Sequence, residues 1–208
     1  LIASHDPEMP AIGAPGRVWL SYSELRDLSA EVAVALHTIG IGRGDRVAIV
    51  LPNGPEMATA FITIAQVATT APLNPGYNQE EYTFYLKDLK AKAILVGADY
   101  DGPALPAAAD CGVSVLRLSF DESGPSGAFK IASDIILGAA DVSVPAEDDV
   151  ALILHTSGTT SRPKIVPLTQ ANVHASAQNI RTSLALTSND RCLNVMPLFH
   201  IHGLIAAV

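Results

Sequence analysis

The sequence predicts an α/β fold, an open and largely parallel sheet with helices on both faces. Two features predict it. Short, continuously apolar runs such as "RVAIVL", "KAILVG" and "VALIL" alternate along the chain with longer stretches whose apolar residues recur at helical spacing. The short runs also lack the apolar–polar alternation of a strand with one wet face, so both faces of the sheet need a cover, and crossover helices supply one.

Each element has its own signal. In "SYSELRDLSAEVAVALHTIGIG", Ser21 and Glu24 make a capping box, Leu25, Leu28, Val32, Leu36 and Ile39 share one stripe, and glycines close the helix. "DRVAIVLPN" reads as a buried strand. "GPEMATAFITIAQVAT" reads as a helix with Pro55 in the first turn, where its missing N–H is harmless. "TAPLNP" is a short strand, and "NQEEYTFYLKDLKA" a helix capped by Asn78 with Glu81 as partner. "KAILVG" and "VSVLRL" follow as buried strands. "SFDESGPSGAF", residues 119–129, predicts a surface loop. "VPAEDDVALILHT" brings a strand with Glu147, Asp148 and Asp149 as a solvated entrance, and "TQANVHASAQNIRTSLAL" a helix. "DRCLNVMPL" predicts a strand and "HGLIAAV" the start of a helix. Trp19, Tyr22, Phe84 and Tyr85 read as core or helix-face residues without chemistry. No internal repeat is present.

Composition narrows the function. The chain has 208 residues, 49% of them apolar, which is enough for a sizeable core. A net charge of −8 without a Lys/Arg run argues against nucleic acid or an anionic membrane as partner. Cys111 and Cys192 stand in no metal or redox spacing, so a reducing cytoplasmic setting is the default. The N-terminal residues lack the basic and apolar regions of a signal peptide, and "MATAFITIAQVATTAPL" is too polar and short for a membrane span. The chain stops inside the apolar run "HIHGLIAAV" with no stop signal, which reads as a fragment.

"HTSGTTSRPK", His155 to Lys164, is the stretch that asks for a ligand. Small hydroxyl residues around a glycine bury little surface, yet they follow directly on a buried strand. A strand, a Gly/Ser/Thr loop and a helix together bind phosphate through converging backbone N–H groups and hydroxyls. Gly158 would let the backbone approach an oxygen closely, and Lys164 would bring a mobile point charge. Walker A does not fit, because Pro163 precedes Lys164 and Ile165 follows it. No G-x-S-x-G elbow makes Ser157 a nucleophile, and no G-x-G-x-x-G is present. On composition alone, a plain strand-capping turn remains an equal reading. His155 reads equally as support for the loop and as a packed structural residue. His200 and His202 form an H-x-H pair with no evident third ligand, so no metal site is predicted.

"LHTSGTTSRPKIVPLT" resembles the phosphate-binding signature of the adenylate-forming enzymes: acyl-CoA synthetases, luciferases and peptide-synthetase adenylation domains. "MPLFHIHGL", Met196 to Leu204, resembles their second signature, an aromatic–His pair entering a helix beside the acyl pocket. "LSYSELRDLSAEVAVAL" and "GDRVAIVLPNGPEM" resemble early segments of the family, in the right order. Ser161 and Ile165 stand where most members have glycine. The serine variant, with "PLFHIHGL", is most like the oxalate–CoA ligase branch.

The resemblance implies that residues 1–208 are the N-terminal part of a large domain, with early α/β layers in 1–145 and the phosphate-loop and acyl-pocket elements in 146–208. It implies ATP-dependent activation of a carboxylic acid, oxalate or another short dicarboxylate, followed by transfer to coenzyme A with Mg²⁺ as the ion. A ligase for a medium-chain or aryl acid, and a non-catalytic nucleotide-binding remnant, stay open. The residues implied for ATP are Thr156, Ser157, Gly158, Thr159, Thr160, Ser161 and Lys164, and those for the acid are Phe199, His200 and His202. The family's adenine, ribose, Mg²⁺ and late-lysine residues would lie past residue 208, so this stretch alone is not expected to turn over. A peroxisomal tail would lie there too, and oligomeric state is not readable.

Overall fold

Two apolar faces on every inner strand dictate the architecture. The computed structural model describes residues 5–156 and 163–208. A short antiparallel ladder of β1 (Pro10–Ile12) and β2 (Leu20–Ser21) leads into α1 (Tyr22–Ile39). Then come β3 (Arg46–Val50), α2 (Pro55–Ile64), β4 (Thr69–Pro72), α3 (Gln79–Leu89), β5 (Ala93–Gly97), α4 (Ala104–Cys111) and β6 (Ser114–Ser119). The chain continues through β7 (Lys130–Ala132), β8 (Val150–Thr156), β9 (Lys164–Thr169), α5 (Gln170–Ser183) and α6 (Ile201–Ala207). The main sheet runs β7-β6-β5-β3-β4-β8-β9, with parallel inner strands and an antiparallel strand at each edge.

Period-two alternation splits the core in two. Val47, Ile49, Leu95 and Leu116 pack with the α1 stripe of Leu25, Leu28, Val32 and Leu36 and with Met57, Phe61 and Ile64 of α2. Ala48, Val50, Ile94 and Val96 face the other way, onto Tyr82, Leu86 and Leu89 of α3 and Ala104, Ala107 and Ala108 of α4. The predicted capping boxes form: Ser21 with Glu24, and Asn78 with Glu81. A third, Thr169 with Asn172, starts α5.

Several expectations are corrected. Helix α4, which the sequence reading passes over, carries no side-chain cap and packs through alanines, which let it lie close to the sheet. The segment "KIVPLT", to which the sequence assigns no element, is edge strand β9, which tolerates the exposed Pro167 because an edge needs fewer ladder donors. "DRCLNVMPL" is not a strand, and Leu193 and Val195 in it are exposed. The sheet's last described pairing on that side is β8 with β9, and this segment does not add to it. β6 is only partly buried. Trp19 is half exposed, lying over Gly13 rather than in a core.

The 119–129 segment is only partly a surface loop. Ser126 and Phe129 are buried, because α2 holds the segment from its first turn. Glu56 Oε1 accepts from Arg17 Nη1 at 2.6 Å and from the Gly127 N–H at 3.1 Å, while Thr59 Oγ1 donates to the Gly127 carbonyl at 2.7 Å. Gly127 sits at φ +85°, and a Cβ there would lie 2.7 Å from Thr59 Cγ2, so only glycine fits.

Among the described residues, no helix is long and apolar enough to cross a membrane.

Removing Arg17 would leave the Glu56 carboxylate charged, largely buried and held by one N–H. Arg17→Ala is expected to destabilise the fold by about 3 kcal/mol in urea denaturation, and adding Glu56→Gln should recover about half of that. Additive losses in the double variant would show that the pair is not coupled.

Candidate functional site

β3 hands the chain to α2 on one face of the sheet, and its neighbour β4 hands it to α3 on the other. Loops that leave adjacent parallel strands toward opposite faces open a crevice at the strands' carboxyl ends, where open α/β sheets bind ligands. The register Ile49↔Pro72 and Thr70↔Leu152 brings the ends of β3, β4 and β8 to one level. Both signature segments meet this edge.

The first does so through β8 and β9. Thr156, the last residue of β8, faces Lys164, the first of β9, as an antiparallel pair, and both are exposed. Ser157, Gly158, Thr159, Thr160 and Ser161 lie outside the described residues. The connection is therefore of the hairpin kind, and α5 begins only at Gln170, a full strand beyond Lys164. This overturns the strand–loop–helix expectation. Among the described residues, no helix begins at either end of this segment.

His155 roots this hairpin. Alternation along β8 turns its side chain toward α3, where Nε2 lies 3.1 Å from Asp88 Oδ2 and the ring meets Tyr85 edge-on at 4.6 Å. Tyr85 in turn stacks on Tyr77 at 4.7 Å. A carboxylate only accepts, so the Nε2 proton is donated by histidine. Burial holds the imidazole pKa below its ordinary value, and Asp88 pulls it back only partly. Asp88 is 38% exposed, so water answers much of its charge.

The second signature reaches the edge through the turn before α6. Leu198 is buried in the α1/α2 core, and the His200 N–H closes a turn onto the Pro197 carbonyl at 3.1 Å. His200 is the N-cap residue of α6, exposed, with Phe199 half-buried beside it. His202 lies in the first turn and lines a groove of about 400 Å³ between α5 and α6, with Ser176, Asn179, Ile180, Ile201 and Ile205. Phe199 and His200 are not on its walls. The three residues proposed for the acid thus divide between the crevice edge and this groove.

Among the described residues, no three His, Cys, Asp or Glu side chains are placed to hold a metal ion.

Sequence reading passed over two asparagines. Asn53, in the turn leaving β3, donates from Nδ2 to the Met196 carbonyl at 3.1 Å and accepts the Leu198 N–H at Oδ1 at 2.8 Å. Asn194 Oδ1 accepts the Met196 N–H at 2.9 Å. "LPNGP" signals a turn, and nothing in it points to partners more than 140 residues on.

A doubly covered sheet with both signature segments at its carboxyl edge is the architecture of the first part of an adenylate-forming ligase domain. The chain belongs to the family of AMP-binding enzymes, which it matches over residues 2–208. It is 39% identical over 210 residues to an oxalate–CoA ligase of Arabidopsis thaliana, covering 100% of this chain and 41% of that protein. It is 30% identical over 214 residues to the long-chain-fatty-acid–CoA ligase FadD13 of Mycobacterium tuberculosis, covering 99% of this chain and 41% of that one. The structure of apo MatB from Rhodopseudomonas palustris superposes with a TM-score of 0.79 at 27% identity, over 97% of this chain and 40% of that one. The chain thus spans about two fifths of the length of these relatives.

A histidine whose folded pKa lies below its unfolded value of about 6.5 binds protons more readily in the unfolded chain. Its contribution to stability is complete above that pH and is lost as pH falls below it. Denaturation midpoints should therefore decline between about pH 7 and 5, and His155→Phe should flatten that decline. An unchanged slope in the variant would assign the decline elsewhere.

Proposed function

We propose that this chain is the early part of an AMP-forming acid–CoA ligase, with residues 1–145 as supporting layers and 146–208 carrying the phosphate segment and the wall of the acid pocket. One observation carries the reading. Thr156 and Lys164 pair at the carboxyl edge of the parallel sheet, so the two ends of the seven-residue Ser/Gly/Thr-rich segment 157–163 stand beside the crevice.

The chemistry asks for such a site. A carboxylate is a poor acyl donor, because its leaving group would be oxide. One of its oxygens attacks the α-phosphorus of ATP, a P–O bond breaks, and pyrophosphate leaves with the electron pair. The sulfur of coenzyme A then attacks the acyl carbon, and AMP leaves as the thioester forms. In the first step negative charge gathers on pyrophosphate, where Lys164, Thr156 and the hydroxyls and N–H groups of residues 157–161 would meet it. Phe199 and His200 would bound the reacting carboxylate. Cys111 and Cys192, both free thiols, suit a reducing compartment such as the cytoplasm.

Oxalate or another short dicarboxylate is the favoured acid. The chain is 39% identical to the plant oxalate–CoA ligase against 30% for the fatty-acid ligase. A distal carboxylate needs a donor in a largely apolar pocket, and we assign that part to His202, which would meet it from the α5/α6 groove it lines. The fatty-acid relative keeps a monocarboxylate as the second reading.

In the complete ligase, Lys164→Ala should slow acid-dependent exchange of labelled pyrophosphate into ATP by more than about tenfold, or about 1.4 kcal/mol. Exchange at the wild-type rate would remove the phosphate role of this segment.

His202→Val should lower kcat/KM for oxalate by about 2–5 kcal/mol while sparing a medium-chain monocarboxylate. Equal losses for both acids would reduce His202 to a structural residue.

A further inference from the structure

We propose that Asn53 is a positioning residue for the acid-binding segment, setting where Phe199 and His200 stand relative to the sheet; this rests on the ligase reading above. Asn53 is exposed, and its amide spends both ends on one target. Nδ2 donates to the Met196 carbonyl at 3.1 Å and Oδ1 accepts the Leu198 N–H at 2.8 Å. An amide that both donates and accepts against two backbone groups of one irregular stretch, two residues apart, fixes distance and direction together.

The place of this contact gives it its consequence. The Met196–His200 stretch belongs to no strand or helix, so the sheet ladder does not position it. Leu198 anchors it from below by burial, but an apolar contact is non-directional and leaves rotation about the chain axis free. Asn53 supplies the missing direction from the rigid end of β3. Asn194 and Gly203 complete the hold from the other side. Asn194 bonds the Met196 N–H at 2.9 Å and the Gly203 carbonyl at 3.3 Å. Gly203 lets α6 close onto this turn, because a Cβ there would run into the Pro197 carbonyl oxygen. Phe199 follows Leu198 directly, and His200 caps α6, so a slip at Met196–Leu198 displaces both. The carboxyl end of β3 lies at the sheet's crevice, so Asn53 couples the crevice floor to the acid side of the site.

The test separates this role from the function it serves. Hydrogen exchange of the Leu198 amide in the 208-residue chain should accelerate about tenfold or more in Asn53→Ala, while β3 amides from Val47 to Val50 keep their protection. Asn53→Asp keeps an acceptor for Leu198 and loses the donor to Met196, so it should retain the Leu198 protection. In the complete ligase, Asn53→Ala should raise the KM for the acid about tenfold and leave the KM for ATP within about twofold. Unchanged Leu198 exchange in Asn53→Ala, matched losses in β3, or a parallel rise of both KM values would overturn the proposal. A wild-type ligase that forms no acyl-adenylate would sink the proposed function instead, and the exchange measurement would still decide whether Asn53 holds the segment.

Discussion

Parallel pairing of β3 with β4 and β5 constrains the rest of this molecule. Parallel strands cannot be closed by tight turns, so each pair needs a crossover long enough for a helix, and each crossover helix must bury an apolar stripe against the sheet. The inner strands answer with apolar residues on both faces: Val47 and Ile49 toward α1 and α2, Ala48 and Val50 toward α3 and α4. Because α2 and α3 leave neighbouring strands for opposite faces, a crevice opens at the carboxyl edge. The site is a by-product of how the sheet is covered.

Long-range polar contacts then fix what the sheet does not. Glu56 gathers Arg17 and the Gly127 amide into the first turn of α2, tying down a segment the sheet reaches only through β6 and β7. Lys92 spans from β5's approach to the Gly40 carbonyl and Asp45, both at 2.8 Å, and so locks the end of α1 to the entry of β3. Asn53 plays the same part at the opposite edge of the sheet. Each contact has a small net energy, because it replaces bonds to water. Their value is directional: they hold irregular backbone at chosen distances from regular elements.

The antiparallel pairing of β8 with β9 bears on how the segment between them, for which we propose phosphate binding, would meet negative charge. A loop that opens a helix can call on aligned peptide dipoles; one that joins β8 to β9 cannot. Its ends are fixed across the ladder, and its cation, Lys164, sits on the strand rather than in a helical turn. In the function proposed here, a point charge on a flexible stem could follow a departing anion, which would suit release of pyrophosphate better than permanent retention. His155, its imidazole pKa lowered by burial, keeps the root of β8 packed against α3 through Asp88 and Tyr85.

What the sequence determined by itself was whatever depends on local spacing. The capping boxes at Ser21 and Asn78, the stripe from Leu25 to Ile39, the apolar strands and the two signature segments are each set by residues within a turn or two of one another. The family and the fold class follow from them. Only the tertiary structure decided the rest, because the deciding partner lies far along the chain. β9 is a strand since β8 offers it an edge, whereas "DRCLNVMPL" pairs with no described strand. Gly127 and Ser126 are buried because Arg17 and Glu56 close over their loop. Asn53 looks like any turn asparagine until folding brings Met196 and Leu198 to it. Local pattern is written in neighbouring residues, and hydrogen bonds that close across the sheet are written in none of them singly.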